Sequence, residues 1–509
     1  MDAIELSLFV KRVNAVCEEM GSVLMRTAFS PNIKDRLDFS CAIFDADGQL
    51  CAQAAHIPIH LGSMAYAMSG IVRQITWLPG DMIIMNDPYL GGTHLPDVTL
   101  IAPVFYHDEL CGFVANRAHH ADIGACTPGS MPLAQTLEQE GLIIPPTQVM
   151  RDSIICNEVL SGLLGHLHNP QIARPDFIAQ ISANTAGLNR LVLLIQTMSV
   201  MTFKSALSAL NDYAESLARS ALAELPAGQY MFTDIMDDDG QGHYDIPIKV
   251  TLQINRDNIL IDFTGTADQV KGNINCPLSV TAAAVYYCFY CLMPPQTPAT
   301  AGVFRHLEIT APDQCLINAS YPAAVAAGNV ETSTRIVDSI LGALALALPG
   351  KIPAASHGSM NNVAMGAGHW DYYETLGGGM GAGPISDGMH AVQTHMTNTL
   401  NTPVEILEKY YPLRITQYAI RRESGGKGQH KGGDGLIRQY EFLDDCHVTL
   451  LTERRRHPPW GLAGGKPGQA AINLLNNKPV PGKTEFKVGP GDQLTIQTAG
   501  GGGWGNIAS

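Results

Sequence analysis

Asn86-Asp87-Pro88-Tyr89-Leu90-Gly91-Gly92-Thr93-His94-Leu95-Pro96-Asp97 is the stretch from which the rest of the chain can be organised. Pro and Gly break the backbone here, so the segment reads as a loop. Its flanks are apolar: Met82 to Met85 before it, Val98 to Phe105 after it. Both have the length and composition of buried strands. A third run, Cys111 to Asn116, leads into Arg117-Ala118-His119-His120-Ala121-Asp122. The two polar clusters therefore sit at strand ends or in loops, where sites are commonly placed. His94 and Asp97, three apart on a turn, can point into one small volume. Together with Asp38 and His119 they form an Asp/His set of the kind that holds a borderline divalent metal. The bland reading stands beside it. A lone Asp in a turn is more often an Asx-turn residue, and a lone buried His more often hydrogen-bonded than ligating. Only convergence of all four side chains decides between them.

Working outward, residues 4–27 carry apolar side chains at helical spacing, closed by Ser30-Pro31-Asn32. Phe39 to Cys51 reads as a hairpin turned at Asp45-Ala46-Asp47-Gly48. Residues 175–225 read as two long helices. Tyr230 to Phe263 turns to alternating strands, Val280 to Leu292 and Glu331 to Leu348 read as buried helices, and from about 350 the chain is Gly-rich and strand-like. The expected class is α+β, multi-domain, with large antiparallel portions and long helices. A boundary at Pro226-Ala227-Gly228 divides a metal-site region, 1–225, from a mixed, Gly-rich region, 226–509.

A chain of 509 residues with 46% hydrophobic and 16% charged residues fits a large globular interior whose weakly charged surface is buried in an oligomer. A net charge of -15 argues against nucleic acid, which needs a basic face. No apolar run is long enough for a membrane span, and Met1-Asp2-Ala3-Ile4-Glu5 lacks a basic leader, so a cytoplasmic protein is expected. Eleven cysteines scattered along the chain agree with free thiols in a reducing compartment.

Other motifs read blandly. His56 and His60 are four apart, but Pro58 between them argues against one helix, which favours structural or outer-shell histidines. Cys288-Phe289-Tyr290-Cys291 is a lone pair in an apolar run and reads as core. Asp237-Asp238-Asp239-Gly240 lacks the remaining ligands of a calcium loop. Gly377 to Gly383 has no acidic residue at the distance a dinucleotide fingerprint needs, and Ser424 to Gly435 lacks the contiguous Gly-Lys-Ser/Thr of a phosphate loop; with Gly500 to Gly503 these are the three Gly-rich stretches. They read as tight turns and close backbone approach.

The string from Asn86 to Asp97 resembles the hydantoinase B family, also called N-methylhydantoinase B. Further matching strings are Arg36 to Ser40, His56 to Met64, Ala118 to Asp122, Pro128 to Met131, Glu140 to Pro146, Asn398 to Glu405 and Pro459 to Gly465, so the resemblance covers essentially the whole chain. One departure is Gly124-Ala125-Cys126, where family members often carry two glycines and an aliphatic residue. The family includes subunits of ATP-dependent hydantoinases, oxoprolinases and a caprolactamase, and the alpha subunits of acetone carboxylases.

The resemblance implies a divalent metal, zinc or manganese, held by residues aligning with Asp38, His94, Asp97 and His119, with Asp122 as the alternative to Asp97. His120 or Asp122 would be base or orienter. It also implies a hydantoinase A-type partner that binds ATP and phosphorylates the carbonyl oxygen of a lactam or hydantoin, so that this chain opens the activated ring by hydrolysis. A stable hetero-oligomer with two or more copies of each subunit is expected, with the nucleotide on the partner. The alternatives are an acetone-type ketone carboxylase subunit and a non-catalytic scaffold with a structural metal.

Overall fold

The computed structural model describes residues 2–54 and 57–507; His56 lies outside the described residues. Its centre is an antiparallel hairpin built from the two apolar runs that flank the polar clusters. Strand Asp97–Tyr106 pairs with strand Glu109–His119 through a two-residue turn, His107-Asp108. Both turn residues have positive φ, 48° and 60°. A two-residue turn with that backbone twists in the sense of the strands it joins. The register places Asp97 directly opposite His119, so the polar ends of the two runs meet at the hairpin's open end.

Seven strands make the sheet, in the order Leu50–Gln53, Phe39–Phe44, Glu109–His119, Asp97–Tyr106, Met82–Met85, Thr147–Arg151 and Ile154–Ile155, antiparallel throughout. Successive side chains face opposite sides. Cys41, Ile43, Leu100 and Val114 pack with the N-terminal helix Ala3–Thr27 and the long helices Pro170–Met198 and Val200–Leu222. Ala42, Phe44, Ile101 and Phe113 pack with Leu61, Met64 and Met68 of helix Pro58–Arg73. Covering both faces explains why these strands read as continuous apolar runs. Each fully buried Leu, Ile or Phe contributes about 1.5–3 kcal/mol relative to exposure.

Pro58 does not break the helix. It opens it, occupying the first turn, where its missing N–H costs nothing and its fixed φ is already helical. His60 therefore rides on a helix, two residues in.

A second core gathers strands Gly228–Asp238, Tyr244–Ile254 and Ile259–Asp262 with helices Leu278–Tyr290 and Ser333–Ala347; Ile57, Ile59, Ala214 and Leu222 also pack into it. A five-residue π-helical turn, Gly328–Thr332, leads into the last of these helices. Two further antiparallel sheets, of four and five strands, complete the chain after residue 360. The architecture is α+β with several antiparallel sheets.

The three Gly-rich stretches pack on one another. Gly433 N–H donates to Met380 O at 2.8 Å, and Gly426 N–H to Gly501 O at 2.8 Å. A Cβ on Gly432 would lie 1.9 Å from Gly501 O, so these backbones meet at a distance no side chain permits. Among the described residues, no single helix is long and apolar enough to cross a membrane.

Candidate metal centre

Three short pieces of chain converge at the hairpin's open end. Asp97 begins one strand and His119 ends the other. His94 comes from the loop before Asp97, where Gly92 is packed so tightly that a Cβ would lie 2.5 Å from Asn86 O. One ligand-capable atom from each of His94, Asp97 and His119 lies within 4.8 Å of the other two. All three are buried, His94 and Asp97 at 0% exposure.

The hydrogen bonds say which atoms are available. His94 Nδ1 lies 3.2 Å from the carbonyl oxygen of Ala326 and so must donate to it, which leaves the lone pair on Nε2. That Nε2 is 3.3 Å from Asp97 Oδ2, yet it has no hydrogen-bond partner, and neither does His119 Nε2. Buried polar atoms without partners are uncommon and need a reason. A cation between them supplies one. The donor set of two imidazoles and a carboxylate fits a borderline divalent metal and leaves a coordination position open.

Asp97 is held from several sides. Thr93 Oγ1 donates to Oδ2 at 2.6 Å, Asn329 Nδ2 donates to the same oxygen at 3.3 Å, and His60 Nε2 lies 3.1 Å from Oδ1. Burial alone would raise its carboxyl, but the imidazoles of His60 and His94 hold it well below the usual carboxylate range. Burial pushes His119 well below the ordinary imidazole range, and His94 adds to this, so it is neutral and able to ligate. Tyr373 stacks on the His119 ring at 4.5 Å and 10°. Asn32 Nδ2 lies 3.2 Å from His119 Nδ1, while Arg36 donates to Asn32 Oδ1 at 3.1 Å. Ligation through His119 Nε2 puts the ring proton on Nδ1, and Asn32 would then have to turn its carbonyl oxygen to the ring.

Of the other expected site residues, Asp38 is adjacent: its backbone carbonyl accepts the His119 N–H at 3.0 Å. Its carboxylate stands 4.0 Å from His60 Nε2 and 3.9 Å from Arg36, outside the three-residue group. Burial raises its carboxyl, and Arg36 and His60 oppose this. His120 and Asp122 are not brought to the centre. His120 follows the strand end and faces away from His119: its ring stacks on Phe177 at 4.5 Å, with Nε2 2.9 Å from Gln180 Oε1. Asp122 accepts the N–H groups of Gly124 and Asn169 and gathers with His168 and Asp371 in a separate group. A cavity of about 740 Å³ borders Asn32, His120, Asp122 and Asp371.

Sequence reasoning left out Asn329 and Tyr373, which lie more than two hundred residues from the loop and carry no motif. His60, which reads in the sequence as a structural or outer-shell histidine, stands beside the group with Nε2 3.1 Å from Asp97 Oδ1.

The model of the hydantoinase B/oxoprolinase family matches residues 2–507. The chain belongs to that family. This hydantoinase B/oxoprolinase chain is 40% identical to an uncharacterised protein of Methanocaldococcus jannaschii, over 99% of this chain and 91% of that one. It is 38% identical to 5-oxoprolinase 1 of Arabidopsis thaliana, where it spans 42% of the relative's length. It is 32% identical to a protein named as the B-type component of a D-/L-hydantoinase in a Pseudomonas strain, over 99% of this chain and 90% of that one. Among solved structures, it superposes on the ATP-dependent caprolactamase of Pseudomonas jessenii with a TM-score of 0.91 at 26% identity, covering 99% of this chain and 91% of that one. Acetone carboxylase shares the fold, with a TM-score of 0.89 at 18% identity, 99% of this chain and 76% of that one.

Proposed function

We propose that this hydantoinase B/oxoprolinase chain is the metal-bearing subunit of an ATP-dependent cyclic amidase. In this reading it opens a lactam or hydantoin ring whose carbonyl oxygen has been phosphorylated by a hydantoinase A-type partner. The observation that carries the reading is the pair of orphaned, buried Nε2 atoms of His94 and His119 facing Asp97. The names of relatives that act on 5-oxoproline, hydantoins or caprolactam supply the substrate class.

Amide resonance makes a ring carbonyl a poor electrophile, and phosphorylating its oxygen removes that protection. A zinc or manganese ion held by His94, Asp97 and His119 would supply a Lewis-acid centre that makes water nucleophilic near neutral pH. The chain's own residues do the rest. The Ala326 carbonyl fixes the tautomer of His94. His60, Thr93 and Asn329 keep Asp97 ionised and oriented. Tyr373 and Arg36 wall the site from bulk water, which preserves a labile phosphorylated intermediate. Asp38, beside the cluster and not within it, is placed to accept a proton from incoming water. The three-residue ligand set favours a catalytic centre over a closed structural one.

The test is co-expression with an A-type partner, followed by assay of hydantoins, 5-oxoproline and lactams with ATP, before and after chelation and metal restoration. Ring opening that requires ATP, partner and metal is expected, and the isolated chain should not hydrolyse ATP. Ring opening by this chain alone without ATP would refute the division of labour. Bicarbonate-dependent ATP hydrolysis with ketones would replace it with a carboxylase.

A further inference from the structure

The segment Glu140-Gly141-Leu142-Ile143-Ile144 contributes no atom to the His94, Asp97, His119 group, yet it holds the chain around His94 from two directions. On one side, Asn86 Oδ1 accepts the Ile144 N–H at 2.6 Å, and Asn86 Nδ2 donates to Leu142 O at 2.9 Å and to Leu95 O at 2.8 Å. This ties down the residue that follows His94. On the other side, Glu140 is fully buried, and its Oε1 accepts the N–H groups of Val325 at 2.9 Å and Ala326 at 2.8 Å. Ala326 is the residue whose carbonyl receives His94 Nδ1–H. Residues 323–325 lie outside any sheet ladder apart from a single bridge between Ala323 and Thr136, and Ala326 opens the helical turn that follows. Tyr89 donates to Ala323 O at 2.6 Å, and Asn275 to Ala324 O at 3.1 Å; Glu140 anchors the end nearest the histidine.

We propose that Glu140 is a positioning residue for the metal centre: by clamping Val325 and Ala326 it sets where the Ala326 carbonyl stands, and so fixes the tautomer and ring angle of His94. This rests on the reading of His94 as a metal ligand. An outer partner of this kind orients a ligating imidazole, and its loss typically weakens metal affinity about 10–100-fold. The clamp needs an acceptor oxygen at that reach, and needs no charge. Burial pushes the Glu140 carboxyl up to about 8 even with two N–H groups on it. A neutral amide of equal length is therefore the conservative replacement, and a carboxylate one methylene shorter is the disruptive one.

The experiment titrates zinc or manganese into the chelator-stripped full chain against a chromophoric competitor, with thermal melts of each stripped variant alongside. Wild type should bind one ion and His94→Ala none. Glu140→Gln should bind within about 3-fold of wild type, and Glu140→Ala and Glu140→Asp about 10–100-fold more weakly. A purely structural glutamate would lower the melting temperature in Ala and Asp variants while leaving the affinity of the folded protein unchanged. That result, in whichever of the two variants folds, overturns the proposal. Absence of metal binding by wild type would instead overturn the reading on which it rests.

Discussion

Around Arg335 and Arg454 each buried cation touches a carboxylate; around Asp97 the buried neighbours are two imidazoles, a hydroxyl and an amide. In the first region Arg454 meets Asp234 at 2.9 Å and Asp338 at 2.5 Å, Arg335 meets Glu453 at 3.1 Å, and Lys483 pairs with the same glutamate. Three cations thus face three carboxylates in direct contact. In the second, Asp97 has no guanidinium or ammonium in ion-pair contact among the described residues, and the Nε2 atoms of His94 and His119 beside it have no hydrogen-bond partner. In the first region every cation has its counter-charge, although Arg335 Nε, Arg454 Nε and Asp338 Oδ1 lack hydrogen-bond partners, and the region reads as structure. The second sets a buried carboxylate beside two imidazole nitrogens without partners, and it is the one the family resemblance points to. Both are buried, so burial by itself does not distinguish a site from a strut. What distinguishes them is whether each buried charge faces an opposite one.

The largest effect that could break this comparison is on metal. His94→Ala or His119→Ala should abolish metal binding and lower activity at least about 10³-fold, because a three-residue shell cannot lose a member and hold its ion. The stripped proteins should melt close to wild type. Elemental analysis after gel filtration, with the ring-opening assay, reads the outcome; full occupancy in both variants would show that the orphaned nitrogens are not ligands.

Arg454→Met should do the reverse. Removing one partner of a buried pair leaves uncompensated charge, here on Asp234 and Asp338, at a typical loss of about 3–5 kcal/mol. Urea unfolding would read that loss, and metal stoichiometry in the folded fraction should stay at the wild-type value. A variant that lost metal but not stability would mean that the two regions are not separable in the way their pairing suggests.

A third effect sharpens the boundary between them. Glu331 stands between the two regions: Oε1 accepts Asn362 Nδ2 at 2.7 Å, and Asn362 Oδ1 accepts the Tyr373 hydroxyl at 2.6 Å. Burial pushes its carboxyl up to about 8 from an ordinary 4.5. Between those values the folded chain keeps a proton that the unfolded chain releases. The contribution is therefore whole below about pH 4.5 and declines as pH rises through 8, with a slope of about 1.4 kcal/mol per pH unit. Glu331→Gln should flatten the pH dependence of the melting temperature between pH 5 and pH 8 by about one proton's worth. An unchanged profile would mean that Glu331 does not titrate in that window.

How far the sequence revealed all this depended on distance along the chain. The strands that carry Asp97 and His119 were legible as apolar runs beside the polar clusters; that they pair in one hairpin, bringing clusters some 25 residues apart together, came only from the fold. His120 and Asp122 misled because nearness in sequence to His119 is not nearness in space: successive residues alternate faces at a strand end, and the chain then leaves the sheet toward His168 and Asp371. Pro58 reads as a bar to a helix running through it, and the helix that carries His60 does begin at Pro58, since a proline that forbids a helix interior is welcome at its start. Asn329, Tyr373, Glu331 and the Ala326 carbonyl were invisible. They reach the site from beyond residue 320, through a second core whose docking no local pattern records.

The smallest effect concerns Tyr373, which joins the two regions physically. Its ring lies flat on His119, and Arg36 sits 5.1 Å from its centroid on the way to Asp38. Its hydroxyl reaches Asn362 and, through it, Glu331. Tyr373→Phe keeps the stack and deletes only the hydroxyl. It should lose about 1 kcal/mol, since Asn362 Oδ1 is left buried without its donor, and change metal affinity by no more than about 3-fold, within the span of a single net hydrogen bond. Tyr373→Leu keeps the bulk and removes both the flat face and the hydroxyl, so it should free the His119 ring to rotate and weaken metal affinity about 10-fold, the lower end for loss of an outer partner. The pair of variants separates the two functions of one side chain. If Phe weakened metal as much as Leu, the hydroxyl network from Glu331 would be setting the site, and the two polar centres would be one system. If neither moved metal affinity, His119 would be held by Asn32 alone, and the stack would be a wall and nothing more.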